Sequence, residues 1–151
     1  MERKIIDSFE GDYEFLSNFY PSEINIGGIK YPTVEHAFQA MKVADTKIRL
    51  KIAAAPTPGQ AKRMGRSIDL RPDWEQVKMA VMQICLQKKF DIPELREKLL
   101  ATENAELIEG NTWHDNYWGS CRCSKCGDKG VNWLGKLLMN RRAMLKTKED
   151  N

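Results

Sequence analysis

Glu35, Phe38, Gln39 and Lys42 recur at intervals of three and four within Pro32–Lys42. At about 100° per residue they fall on one helical stripe, an acid, an amide and an amine with an aromatic ring among them. Such a set could hold a sugar and work on its anomeric carbon. When an N-glycosidic bond breaks, positive charge develops on C1′ and O4′, and a nearby carboxylate stabilises it. The same carboxylate could later deprotonate water. Alternatively, a neutral lysine could attack C1′ with ring opening and form an imine. Burial or cationic neighbours lower a lysine's pKa, whereas pairing with Glu35 raises it, so the two routes make opposite demands. The ordinary reading of the same stripe is a solvated face, because exposed charges need no explanation.

The elements that must position these groups follow from local signals. Thr33, after Pro32, can cap a helix. No proline or glycine follows until Pro56, so nothing ends that helix early. Ala37, Ala40, Met41 and Ala44 form its packing side. A second helical run covers Thr46–Ala55. Thr57 caps a third with Pro58 at its first position. That helix carries Lys62, Arg63 and Arg66, a phosphate-binding cluster or a solvated basic face, and Gly65 is read as its C-cap. Asp73 to Gln76 has capping-box spacing. An amphipathic helix then runs through Phe90 on Trp74, Val77, Val81, Ile84 and Cys85. Asp91–Glu94 starts another helix, with Leu95, Leu99 and Leu100 inward.

Two short strands, about 22–26 and 29–31, flank Gly27-Gly28, a hairpin signal. Glu106–Glu109 reads as a strand ended by Gly110. A last helix enters at Asn132 and runs to about Leu145, with Leu134, Leu137, Leu138, Arg141 and Met144 near one face. The polar tail 146–151 is expected to fray. The fold class is α-rich α+β, a compact single domain of several helices with a small N-terminal β-hairpin. Its core spans about 12–145.

Two irregular stretches are rich in chemistry. Phe15-Leu16-Ser17-Asn18-Phe19 offers hydrogen bonds from Ser17 and Asn18 beside rings that either stack on a base or belong to the core. Asn111–Gly119 holds Trp113, His114, Asp115, Tyr117 and Trp118 within nine residues. Loops of that composition are common places for function, and Tyr117 and Trp118 could stack on base or ribose.

The chain has 151 residues and a formal net charge of +3, too small to imply nucleic acid from charge alone. It shows no signal peptide and no membrane span, so no membrane partner is expected. Cys121, Cys123 and Cys126 crowd into six residues, which suits a reducing cytoplasm better than a disulfide framework. They are either free thiols or part of a structural zinc site. A tetrahedral site would need a fourth ligand from His114, His36, Cys85 or Asp128. Neither a Gly-x-Gly-x-x-Gly fingerprint nor a P-loop is present, and no cofactor is required for catalysis.

Six segments in order resemble the NADAR family, also called YbiA-like proteins: Phe15–Phe19, Glu35–Lys42, Ala61–Arg66, Trp74–Lys78, Asp115–Gly119 and Asn132 with Leu134–Met139. They extend from about residue 12 to residue 142. The resemblance implies a compact α-rich domain and an N-glycosidase that breaks a C1′–N bond. One branch of the family acts on phosphorylated riboflavin-pathway intermediates, and another removes ADP-ribose from modified guanine in nucleic acid. It implies that Glu35 is the principal catalytic acid, with roles for Lys42 and Asp115. Phe15, Ser17, Asn18, Phe19, Gln39, Arg63, Arg66, Tyr117, Trp118, Gly119 and Asn132 are the expected substrate-binding residues. The loop 120–130, often a shorter glycine-rich link in relatives, and the bulky Trp133 depart from the pattern and bear on substrate choice. The expected partner is a small phosphorylated nucleoside or ADP-ribosylated guanine in nucleic acid. A non-catalytic ADP-ribose or NAD module and a zinc-dependent nucleic-acid module are the alternatives. An acid beside an amine favours the enzyme.

Overall fold

The computed structural model describes residues 2–150. In chain order the elements are β1 (Ile5–Ile6), a 3-10 helix (Gly11–Leu16), β2 (Ile24–Ile26), β3 (Ile29–Tyr31), α1 (Val34–Ala40), α2 (Thr46–Ala53), α3 (Pro58–Arg66), α4 (Trp74–Phe90), α5 (Pro93–Leu100), β4 (Glu106–Leu107), β5 (Gly110–Asn111), β6 (Ser120–Cys121) and α6 (Trp133–Asp150). They form two compact units. One is Asn18–Ile92, and the other joins the described parts of Met1–Ser17 and Pro93–Asn151. Among the described residues, no helix is long and apolar enough to cross a membrane.

In the unit 18–92, β2 and β3 form the expected hairpin, with Ile24 opposite Tyr31 and Ile26 opposite Ile29. Gly27 and Gly28 both have positive φ, as the tight turn of a two-residue hairpin requires. Helix α1 is buried from Val34 to Ala40 and packs against α2, α3 and α4. Its charged stripe is therefore no solvated face. The Thr33 hydroxyl accepts from the His36 amide, 3.1 Å away, which caps the helix as its sequence predicts. His36 Nε2 donates to the Ala55 carbonyl at 2.9 Å. Nδ1 lies 2.8 Å from the Thr33 hydroxyl, and His36 ties the start of α1 to the end of α2.

Several expectations are corrected here. Helix α1 stops at Ala40, and Lys42 lies in the turn beyond it. That turn needs neither proline nor glycine because its carbonyls find other donors. The Lys42 carbonyl accepts from the Arg71 amide at 2.8 Å, and the Val43 carbonyl accepts from Arg49 Nε at 2.8 Å. Asp45 then caps α2, which ends at Ala53, and Ala44 is exposed rather than packed. Gly65 is no C-cap: it is buried inside α3, and a Cβ there would strike the side chain of Gln39. Its lack of a side chain lets α3 approach α1. Asp73 pairs with Arg71 at 2.6 Å and makes no side-chain cap bond, so the capping box does not form. On α4 the buried face runs through Trp74, Met82, Cys85, Leu86, Lys89 and Phe90, while Ile84 is exposed.

In the other unit, β1 pairs in parallel with β4, placing Ile5 opposite Glu106. Strand β5 pairs in parallel with β6. The expected strand 106–109 is thus only Glu106–Leu107, and Gly110 opens β5 instead of ending β4. Helix α5 packs against the 3-10 helix and α6, and α6 against β4. Helix α6 continues past Leu145 through Asp150, because nothing in Lys146–Asp150 breaks a helix. Met144 is exposed, whereas Leu145, Arg141 and Arg142 are buried. Arg142 donates to the Thr102 hydroxyl and the Ala105 carbonyl, both at 2.8 Å.

Candidate active site

Glu35 is only 7% exposed. One carboxylate oxygen accepts from Gln39 Nε2 at 2.8 Å, the i,i+4 contact that helical spacing predicts. The Glu35 amide donates to the Asn18 carbonyl at 3.1 Å, tying α1 to the Ser17-Asn18-Phe19 segment. Burial pushes the Glu35 carboxyl above the usual range, against the opposing pull of the Gln39 bond and of the Lys62 and Lys42 ammonium groups. The nearby Cys85 thiol is pushed up to about 12, chiefly by burial and further by the Glu35 charge. It stays protonated and is no nucleophile.

Lys42 is half-buried. Burial holds its ammonium below the ordinary lysine range, aided by the cations of Arg66 and Lys62, while Glu35 pulls the other way. The net direction is towards the neutral amine. Lys62 belongs to the basic cluster expected on α3 but not to the expected substrate-binding residues, and its charge acts on both Glu35 and Lys42. It lies one turn before Arg66 on α3, so both flank the buried Gly65 that meets Gln39. Arg63 is exposed and outside this electrostatic set, and Arg66 is exposed too. The i,i+4 spacing of Lys62 and Arg66 was the available signal.

Three buried oxygens in this unit have no hydrogen-bond partner, Asn18 Oδ1, Gln39 Oε1 and the Tyr31 hydroxyl, and the first two belong to residues bonded to Glu35. Buried acceptors of this kind are rare and call for an explanation. Phe19 is partly exposed. Phe38 packs its ring on Trp74 at 5.1 Å between centroids and belongs to the core.

The remaining expected residues lie in the other unit. Asp115 Oδ1 accepts from the amides of Tyr117 at 3.1 Å and Trp118 at 2.9 Å. The Tyr117 and Trp118 rings meet edge to face at 4.8 Å, and both are half-buried. Asn132 is buried with φ at 60°. Its Oδ1 accepts from the Glu109 amide and its Nδ2 donates to the Leu107 carbonyl, both at 2.9 Å. Both ends of that amide thus hold backbone. Gly119 is buried against Glu109. Phe15 is buried, with the Lys98 ammonium 5.8 Å from its ring centre. It lines a cavity of about 460 Å³ with Lys4, Tyr13 and Asn104, and Ser17 follows it at the end of the 3-10 helix. In the same unit His114, Cys121, Cys123 and Cys126 come together, their ligand atoms within 4.8 Å of one another.

A family model for the NADAR domain matches residues 7–146. N-glycosidase YbiA of Escherichia coli is 45% identical over 141 residues, covering 91% of this chain and 85% of that protein. The NMR structure of Escherichia coli YbiA superposes with a TM-score of 0.83 at 39% identity, over all of this chain and 90% of that one. A riboflavin biosynthesis protein of Vibrio vulnificus is 35% identical over 139 residues, which are 89% of this chain and 36% of the relative. The half-helical architecture matches that of YbiA, and this chain belongs to the NADAR domain family of N-glycosidases.

Proposed function

We propose that this chain hydrolyses the C1′–N bond of a phosphorylated nucleoside-like substrate, with ADP-ribose on guanine, free or in nucleic acid, as the first candidate. The observation that carries the reading is the buried Glu35 carboxyl coupled to the half-buried Lys42, with two buried oxygens on neighbouring residues still without donors. Ribose hydroxyls are donors of the kind that Asn18 Oδ1 and Gln39 Oε1 lack. Ionised Glu35 stabilises the charge on C1′ and O4′ as the bond electrons pass to the base nitrogen. It then takes a proton from the water whose oxygen joins C1′, a task that a raised carboxyl pKa suits. In the alternative route the neutral Lys42 amine bonds to C1′ as the C1′–N electrons leave with the base, the C1′–O4′ bond then opens to an imine as the nitrogen gives up its protons to O4′ and the base, and water adding to C1′ later releases the lysine. Lys62 and Arg66 supply phosphate contacts, and the exposed Arg63 and Arg66 suit a pyrophosphate or a nucleic-acid backbone. Asp115 holds the Tyr117-Trp118 turn through Oδ1, which leaves Oδ2 to act on the substrate.

A second reading, action on riboflavin-biosynthesis intermediates, is favoured by the name of the Vibrio vulnificus relative. Incubation with ADP-ribosylated guanosine, ADP-ribosylated DNA and phosphorylated riboflavin intermediates, followed by mass spectrometry of the released base, separates the two. Release from ADP-ribosylated guanine is expected. Release only from riboflavin intermediates selects the second reading, and binding without release from any of them reduces the chain to a binding module. Borohydride added during turnover should attach the sugar mass to a Lys42 peptide if the imine forms. Turnover without an adduct selects direct attack by water.

A further inference from the structure

We infer that His114, Cys121, Cys123 and Cys126 form a closed structural zinc site that holds the Asp115 loop. His114 Nδ1 lies 3.6 Å from Cys121 Sγ, 3.5 Å from Cys123 Sγ and 3.5 Å from Cys126 Sγ. A tetrahedral zinc with Zn–S near 2.3 Å and Zn–N near 2.0 Å puts nitrogen and sulfur about 3.5 Å apart. Hydrogen bonding does not account for the arrangement. A ring nitrogen has one proton or one lone pair to offer, yet this one is equidistant from three sulfurs. All three cysteines are free of disulfides. A shared cation satisfies all four atoms together. Three thiolates and an imidazole, with no position left over, are the donor set of a structural zinc site.

The backbone around the cluster is shaped to the same end. His114 has φ at 68°, a left-handed conformation that a residue with a Cβ rarely adopts. The Cys126 amide donates to Cys123 Sγ at 3.3 Å, which stabilises a thiolate. The Gly127 amide bonds the Cys123 carbonyl and the Asp128 amide bonds the Cys121 carbonyl, both at 2.9 Å, so the chain folds tightly around the three sulfurs. Outside them, the Cys121 amide donates to Asn116 Oδ1 at 2.9 Å, and the Ser120 hydroxyl donates to Asp128 Oδ1 at 2.6 Å. Such supporting bonds orient metal ligands. His114 immediately precedes Asp115, and Cys121 belongs to β6. The metal therefore cross-links the loop 112–119 to the turn that follows it, and holds Asp115, Tyr117 and Trp118 without touching substrate. The fourth ligand is His114; His36 is excluded because both its nitrogens are engaged with Thr33 and Ala55.

The test is elemental analysis of the full chain, made without an affinity tag in zinc-supplemented medium, with cobalt replacement in parallel. About one zinc per chain is expected, falling below about 0.2 in the His114→Ala and Cys126→Ser variants. Wild type loaded with Co²⁺ should show thiolate charge-transfer absorption and the strong visible bands of tetrahedral cobalt, and chelation should lower the melting temperature reversibly. Wild type with less than about 0.2 zinc per chain and no such cobalt spectrum would overturn the inference. So would unchanged zinc content in both variants. The wild-type spectrum decides the matter even if the variants fail to fold.

Discussion

Gln39 and Asn132 are both buried amides, and they differ in what their two ends touch. Asn132 donates to one strand carbonyl and accepts from the amide two residues further on. Gln39 donates to Glu35, but its oxygen meets no donor. The contrast extends to their surroundings. Near Asn132, Asn111 Nδ2 donates to the Asp115 carbonyl at 2.9 Å and Asp115 Oδ1 receives two amides. Near Gln39, Asn18 Oδ1 also lacks a donor, and a carboxyl and an amine are both pulled towards their neutral forms. A buried polar group with every valence met is scaffold, whereas one left open keeps its desolvation cost until something binds. Asn132 thus holds shape, while the open oxygens of Asn18 and Gln39 can still take a donor.

The largest expected effect comes from Glu35→Gln. Turnover should fall at least about 10²-fold with fold and substrate affinity kept, the scale on which an acid–base or electrostatic group is lost. Near-normal turnover would remove Glu35 from the reaction and break the comparison on its active side. The wild-type rate should also fall as pH drops through a carboxyl pKa above the ordinary range, since Glu35 acts ionised and burial raises it. That acid limb should disappear from whatever activity Glu35→Gln retains.

Gly65→Ala pushes a methyl group into Gln39. Overpacking of this kind costs about 1–3 kcal/mol, visible in urea unfolding, and should lower turnover by displacing the partner of Glu35. Asn132→Ala orphans the Glu109 amide and the Leu107 carbonyl and should cost about 1–3 kcal/mol of stability. KM and kcat should change little at temperatures where the variant is folded. A large rise in KM with stability intact would instead make Asn132 a substrate contact and dissolve the contrast with Gln39.

Lys89 sharpens the comparison from outside both groups. It is fully buried, with its ammonium 5.9 Å from the Tyr20 ring centre and 5.2 Å from that of Phe90, and burial lowers its pKa to about 7. An unfolded lysine titrates near pH 10.4. Between about pH 7 and 10.4 the unfolded chain therefore binds more protons than the folded one, and stability rises with pH across that window. The penalty is fully present below pH 7. Lys89→Met should flatten that rise, as measured by denaturant midpoints at several pH values.

Local signals made much of this legible. Thr33 and Thr57 cap helices because a hydroxyl before a helical run has a nearby amide to meet, and Gly27-Gly28 closes the hairpin. Contacts distant in sequence stayed hidden. Gly65 reads as a terminator until α1 is known to lie against it. Lys42 reads as helical until its carbonyl is seen to accept from Arg71. The Cys-x-Cys-x-x-Cys spacing brings three thiols together, but the spacing does not show that His114 rather than His36 joins them. On the α1 stripe, residue types and spacing suggest chemistry, while burial and the open oxygens emerge only from packing.

Strand β1 has a consequence for how the chain assembles during synthesis. Ile5 and Ile6 find their partners in Glu106 and Leu107, so the strand waits while roughly a hundred further residues are made. At about 5–20 residues per second that is about 5–20 s. The unit 18–92 is contiguous and can fold in that interval, whereas the unit bearing Asp115 cannot close until residues beyond 106 have left the ribosome. A nascent chain stalled so that residue 92 but not residue 106 has left the ribosome should thus already resist protease across α1 to α4 while its first strand stays open to cleavage.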